Sequence, residues 1–283
     1  MRRATTKRSL CISAAISTIT AFILLCSSGC NNTQYVYVNG AKCVGADGHS
    51  IELTNNPNAR NPTFQQLMGF IMCDETDTYE YLEKSYSPES KRAYTCADFA
   101  ENVHNNAEAA GIRAAWVAIV LKGKDKGHVC NAFETRDIGL VYIDCTGGVK
   151  DAGRITKQVI TDTEPQLSQE KSWDTIAYVD IGKEYGRIHI NHAESISYGY
   201  FEEYIKRIYE LETMLDEYNR EIEMYNQEVM SNVYIKGSEE EKRIKAWADK
   251  LRAEGQELTK LLGGTTLSYY ELIGVVEDLH INW

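Results

Sequence analysis

Apolar side chains recur along this chain with two periods, and the switches between them mark out its elements. Phe64, Leu67, Met68 and Ile71 fall at i, i+3, i+4 and i+7, one helical face, behind an Asn61-Pro62 start. Phe99, Val103, Ala107 and Ala110 give the buried stripe of a second helix, expected over residues 96–110. Thr95 suits its N-cap, and Gly111 suits the left-handed position just past its end. A weaker helical stretch is expected over residues 77–84, before the Ser87-Pro88 break.

Residues 114–121, 128–135 and 140–145 read as strands, the last two joined as a hairpin through Arg136-Asp137-Ile138-Gly139. Period-two alternation places His128 and Cys130 on one face, with Tyr142 and Asp144 on one face of the partner strand. A tight hairpin would set His128 nearly opposite Asp144, with the helix bearing Cys96 packed over that face. Residues 173–180 and 186–191 read as further strands.

From Phe201 the pattern becomes a heptad. Phe201, Tyr204, Ile208, Leu211, Leu215, Tyr218, Ile222, Tyr225 and Val229 alternate spacings of three and four, with charged residues between. Lys236-Gly237-Ser238 turns the chain, and residues 239–262 form a second helix with Ile244, Trp247, Leu251 and Leu258 inward. Such a pair is expected to close as an antiparallel helical hairpin, ended by Gly263-Gly264. Residues 273–281 then read as a closing strand. Residues 31–60, polar apart from a short apolar patch at 35–38, read as a tether with one edge strand.

The first thirty residues have a different character. Arg2, Arg3, Lys7 and Arg8 precede a largely apolar run over residues 10–26, and Ser27-Ser28-Gly29 leads to Cys30. This resembles a bacterial lipoprotein signal, with Ser27 standing where such signals most often carry leucine. The resemblance implies that Cys30 becomes the lipidated first residue. The alternative is an uncleaved signal anchor, since an apolar run of about seventeen residues just spans a bilayer. Either reading puts the body outside the cytoplasm, at the cell envelope on the outer face of the cytoplasmic membrane.

The 283 residues allow a sizeable core in one or two domains. A formal net charge of −11 argues against a nucleic-acid partner. Of eight cysteines, Cys11 and Cys26 leave with the signal and Cys30 would carry lipid. Cys43, Cys73, Cys96, Cys130 and Cys145 remain, an odd number, so an oxidising compartment leaves at least one thiol free. With Cys96 free, the other four could form two disulfides in any of three pairings, or none.

Cys96 opens a helix, where unpaired backbone N–H groups and the helix dipole favour an anion and could hold an oxyanion. His128 on a strand and Asp144 on the next suggest its base and the orienter of that base. Together with Gly111-Ile112-Arg113-Ala114-Ala115 after the helix, this order is similar to the transglutaminase-like (papain-like) cysteine-enzyme superfamily, over roughly residues 60–150. The resemblance implies acyl transfer through a thioester, with Cys96, His128 and Asp144 catalytic and with neither cofactor nor metal. The acyl group would pass to water, as in a peptidase or amidase, or to an amine, as in a protein-glutamine acyltransferase. Bacterial relatives of this kind favour the hydrolase.

Other readings compete. Asp98 suits a first-turn carboxylate on the helix dipole. Gln65 and Gln66 lie upstream of the cysteine, where some papain-like enzymes place an oxyanion-hole glutamine. His128, Cys130 and Cys145 could instead cluster around zinc with His189 or His192, but paired C-x-x-C and H-E-x-x-H spacings are missing, and His189 and His192 would face opposite sides of a strand. A non-catalytic binding module, or an envelope scaffold, would use the helical hairpin to hold a protein partner.

The expected architecture is α+β. It has a signal over 1–30, a tether over 31–60 and a papain/transglutaminase-like core over 61–198, with the helix bearing Cys96 on an antiparallel sheet. The inserted antiparallel helical hairpin occupies 199–264 and a C-terminal strand over 265–283 returns to the core. Partners are a protein or peptide substrate and the membrane.

Overall fold

Short strands precede the first helix: β1 (Asn32–Tyr35), β2 (Tyr37–Val38), β3 (Ala41–Lys42) and β4 (Glu52–Asn55). The computed structural model describes residues 32–81, 93–146, 174–262 and 273–283. Cys30 and the apolar signal therefore lie outside the described residues. The expected tether is corrected for residues 32–55: β1 pairs antiparallel with β4 and β2 with β3, and Val36, Ile51 and Leu53 are fully buried. Three well-spaced apolar residues are enough to seat the segment, because its polar neighbours bond to the helix over residues 96–109.

Helix α1 (Phe64–Ile71) begins at Thr63, two residues later than the Asn61-Pro62 signal suggested. Thr63 N–H donates to Gln66 Oε1 at 2.9 Å and Gln66 N–H to Thr63 Oγ1 at 3.2 Å, a reciprocal cap that sets the start at Thr63. Leu67 and Ile71 carry its buried face. The helix expected over residues 77–84 is not formed in its described part. Thr76–Thr78 is a single 3-10 turn, and β5 (Glu80–Tyr81) pairs parallel with β6 (Ala93–Tyr94). Asp74 accepting from Thr76 N–H and Thr78 donating to Glu75 O give that backbone an alternative to helix.

Helix α2 (Cys96–Ala109) follows its N-cap Thr95 and ends into Gly111 at φ 78°. Its buried stripe is Phe99, Ala100, Val103 and Ala107; Ala110 is exposed, because the chain turns away one residue early. Glu108, also buried, accepts from the backbone N–H groups of Asn56 and Ala114 and so clamps both ends of the neighbouring chain.

The central sheet contains β7 (Ala115–Leu121), β8 (His128–Thr135), β9 (Gly139–Asp144), β10 (Thr175–Tyr178), β11 (Gly186–His189) and β12 (Val276–Asn282). Its order is β11-β10-β9-β8-β7-β12 and every pairing is antiparallel. The class is α+β. Helices α1 and α2 cover Trp116, Val129, Phe133, Val141 and Ile143 on one face, while Val117, Cys130, Ala132, Ala177 and Tyr185 pack together on the other. Both faces of β7 are thus buried, which explains its unbroken apolar run.

Helix α3 (Tyr198–Ser231) is 34 residues long, roughly 50 Å at the α-helical rise. Phe201 docks its start by stacking on Tyr178 with ring centroids 4.9 Å apart and lying across Gly186. Helix α4 (Glu239–Leu262) returns along it, with Tyr225 against Trp247 and Lys250 paired to Glu221. Burial along α3 stops at Leu215, and Val229 is exposed near the tip, where two helices alone cannot enclose a side chain. No helix among the described residues is long and apolar enough to cross a membrane.

Candidate active site

Helix α2 lies along β8, and two side chains fix its register. Trp116 Nε1 donates to Ala97 O at 3.3 Å and Asn131 Nδ2 donates to Ala100 O at 2.8 Å. The helix start is thereby held near the His128 end of β8. It packs on the Val129 and Asn131 face, whereas the expectation put it over the face of His128 and Cys130. Alternation makes the difference: Asn131 and the large apolar residues of β8 point to the helix side, and His128 points away. Cys96, as the first helical residue, reaches past the end of the strand, and its thiol stands near enough to the His128 ring to favour the charged imidazole.

His128 Nε2 lies 2.7 Å from Asp144 Oδ2. In the β8–β9 register Asn131 faces Ile143, so Cys130 falls opposite Asp144 and His128 lies one diagonal step beyond on the same face. With Nε2 committed to Asp144, Nδ1 is the nitrogen left for the Cys96 sulfur. Burial works against a charged His128, but Asp144, and then Cys96, outweigh it and raise the imidazole to about 9. Asp144 is buried, which would favour its acid form. Arg187 and His128 beside it, with Thr146 N–H on Oδ1 at 2.9 Å, nevertheless hold it well below the usual carboxylate range. The buried pair is therefore held as carboxylate and imidazolium.

Two further residues reach Asp144, and neither was singled out in the sequence. Tyr185 Oη donates to Asp144 Oδ2 at 2.7 Å and Arg187 Nη1 lies 3.3 Å from the same oxygen. The signal was faint: an arginine in a short strand, two positions after a tyrosine that precedes it. Its meaning depends on β11 lying two strands from β9, which the length of sequence between β9 and β10 conceals.

The remaining candidates separate. Asp98 is 2% exposed and accepts from Thr95 N–H at 2.7 Å, from Thr95 Oγ1 and from Ala46 N–H, which makes it an anchor of the helix start. Gly45 lets that loop in, since a Cβ there would fall 2.0 Å from Asp98 Oδ1. Gln66 caps α1 and accepts from Arg136 Nη2 at 3.0 Å, at the far end of β8, so it stands about 20 Å or more from His128 at the rise of a strand. Gln65 is exposed on the same helix. Neither can serve as an oxyanion donor for Cys96.

Of the alternative zinc ligands, Cys145 packs on the helix-covered face and Cys130 on the other, so His128, Cys130 and Cys145 do not converge. His189 and His192 are closer than expected, ring centroids 5.7 Å apart, because the strand ends at His189 and the chain turns. His49, Asp98 and Glu101, which the sequence did not group, bring ligand atoms within 4.8 Å of one another. Glu101 accepts from His49 Nε2 at 2.9 Å and from Glu52 N–H at 2.6 Å, and Asp47 accepts at His49 Nδ1. Burial alone would discharge His49, but Glu101 and Asp47 raise it to about 9. The group is an ion-paired clasp between the β3–β4 loop and α2. Cys30 lies outside the described residues. Compared with known proteins, the chain matches no protein-family model, no curated protein and no solved structure.

Proposed function

We propose that the chain is an extracytoplasmic, membrane-tethered thiol enzyme that cleaves amide or peptide bonds. The observation that carries this reading is the position of His128, held at 2.7 Å by Asp144 and set beside the Cys96 thiol at the N-terminus of α2. Cys96 Sγ attacks the carbonyl carbon with its proton on His128. The C–N bond then breaks as His128 returns that proton to the leaving amine, and water, deprotonated by His128, releases the acid from the thioester. Backbone N–H groups of the first turn of α2 are suitably placed donors for the oxyanion. Asp144 holds the imidazole in one tautomer and stabilises its cation. The antiparallel sheet with a cysteine-bearing helix supports a transglutaminase-like core as the frame, and the order Cys96, His128, Asp144 supports the same assignment.

The test is alkylation of Cys96 by iodoacetamide across pH, read by peptide mass spectrometry. Rapid modification at about pH 6, where an ordinary thiol with its pKa near 8.5 reacts slowly, and loss of that reactivity in His128→Ala, are the expected results. Slow labelling that rises only above about pH 8 and ignores His128 overturns the reading.

A further inference from the structure

The Asp144 carboxylate is bonded more heavily than orienting a histidine requires. Oδ2 alone takes His128 Nε2 at 2.7 Å, Tyr185 Oη at 2.7 Å and Arg187 Nη1 at 3.3 Å, and Oδ1 takes Thr146 N–H. Tyr185 is 1% exposed, and its ring meets the His128 ring edge-on with centroids 5.0 Å apart at 61°. Tyr185, immediately before β11, and Arg187, within it, therefore touch the base and its orienter from a segment that carries none of the three. We propose that Tyr185 and Arg187 are positioning residues: they lock the Asp144 carboxylate and the His128 ring plane, and through them set how firmly His128 holds its proton. The proposal rests on the thiol-enzyme reading above and names the residues that tune that site.

The sheet is built to let them reach. In register, Tyr142 of β9 faces Ala177 of β10, which faces Arg187 of β11. Adjacent strands lie about 4.8 Å apart, so Arg187 must span two strands, and a side chain larger than alanine at 177 would stand in the way. Ala177 is 3% exposed, as expected for a residue bridged by its neighbours. Tyr185, two residues before Arg187, points to the same face by alternation. An arginine this close to a carboxylate shares its negative charge, leaving less of it for the imidazolium. A tyrosine hydroxyl on the same oxygen acts in the same direction more weakly. Arg187 thus restrains the rise that Asp144 imposes on His128. A histidine held too firmly as a cation could not hand its proton to a leaving amine. Among the described residues, the charged and titratable groups facing His128 are Cys96 from α2, Cys130 on its own strand, Asp144 from β9, Tyr185 just before β11 and Arg187 in β11.

The experiment uses the full chain in detergent and compares iodoacetate with iodoacetamide at Cys96. The carboxylate reagent is drawn to an imidazolium, so the ratio of the two rates falls as His128 loses its proton. Wild type should show that fall near 9, the value to which His128 is raised. In Arg187→Met it should move up by about one unit, with a smaller upward shift in Tyr185→Phe. Arg187→Lys should restore the wild-type position. If Arg187→Met does not fold, Tyr185→Phe and Arg187→Gln carry the test. A fall that stays at the wild-type pH in these variants, while Cys96 still labels rapidly at low pH, overturns the proposal and leaves the thiol-enzyme reading standing. A wild type without rapid low-pH labelling, and with no fall in the ratio, overturns the thiol-enzyme reading and this proposal with it.

Discussion

His128 Nε2 and Asp144 Oδ2 meet at 2.7 Å on the sheet face opposite the helix that carries Cys96. The thiol reaches the imidazole by standing at the very end of α2, beyond the last sheet residue the helix covers. The site thus sits on a rim shared by two packed layers, and its geometry depends on the axial position of α2 on β8. Trp116 and Asn131 set that position through the carbonyls of Ala97 and Ala100.

Replacing Asp144 by asparagine removes the charge that stabilises the imidazolium and leaves Arg187 beside a neutral group. Reactivity of Cys96 at about pH 6 should fall by roughly 10- to 100-fold. Stability should drop by on the order of 3 kcal/mol, because a buried cation loses its partner. Alkylation rates and urea unfolding of Asp144→Asn measure the two effects separately.

The His128–Asp144 pair should also make stability fall on the alkaline side. His128 has its proton affinity raised in the fold from 6.5 to about 9. Its contribution is therefore complete below about 6.5 and lost as pH climbs through about 9. Thermal melts between those values should show a decline that His128→Gln flattens; an equal decline in both proteins would count against the charged pair.

His104 acts at the other end of the scale. It is fully buried, Nε2 lies 2.9 Å from Asn55 Oδ1, and Nδ1 has no hydrogen-bond partner among the described residues. Burial lowers its pKa from 6.5 to about 4. The unfolded chain takes up this proton first as pH falls, so stability should decrease from about 6.5 down to about 4 and then level off, by on the order of 2 to 3 kcal/mol. His104→Gln keeps a donor toward Asn55 and should lose that slope in urea titrations at stepped pH.

Gly186 fixes where the helical hairpin meets the sheet. A Cβ there would lie 1.9 Å from Phe201 Cζ, so the Phe201 ring or α3 itself would have to move. Gly186→Ala should cost about 2 to 3 kcal/mol by overpacking. Adding Phe201→Ala should recover part of that loss, and a double-mutant cycle in urea would show the coupling. Strictly additive losses would mean that the two residues do not oppose each other.

Where the sequence failed to locate an element, short polar bonds were responsible. Residues 77–84 carry a plausible helical pattern, but Asp74 and Thr78 satisfy the local backbone in a 3-10 turn instead. Residues 32–55 look like a tether because they bury few apolar groups. They are nevertheless sewn to α2 by Glu52 N–H to Glu101, Thr54 N–H to Asn105 and Asn56 N–H to Glu108. Those helix residues lie outside the apolar stripe of Phe99, Val103, Ala107 and Ala110, so the periodicity gives no sign of their role. The helical face of residues 64–71, by contrast, was legible because its apolar spacing answers to one local period.

The sequence by itself determined the local elements with strong periodicity: α2 with its Thr95 cap and Gly111 end, the three strands β7 to β9, and the heptad helices α3 and α4. It also determined that His128, Cys130 and Asp144 fall on alternating positions of adjacent strands, since a two-residue period and a short hairpin leave little freedom. Tertiary structure alone decided on which face α2 would lie, and hence that Cys96 meets His128 around a rim. It also decided that β11 would lie two strands from β9, bringing Tyr185 and Arg187 to Asp144. The physical reason is that period and caps act within a few residues. Layer choice and strand order are set by how whole apolar faces are covered, and by side chains such as Asn131 and Ala177 that matter only once distant elements are in contact.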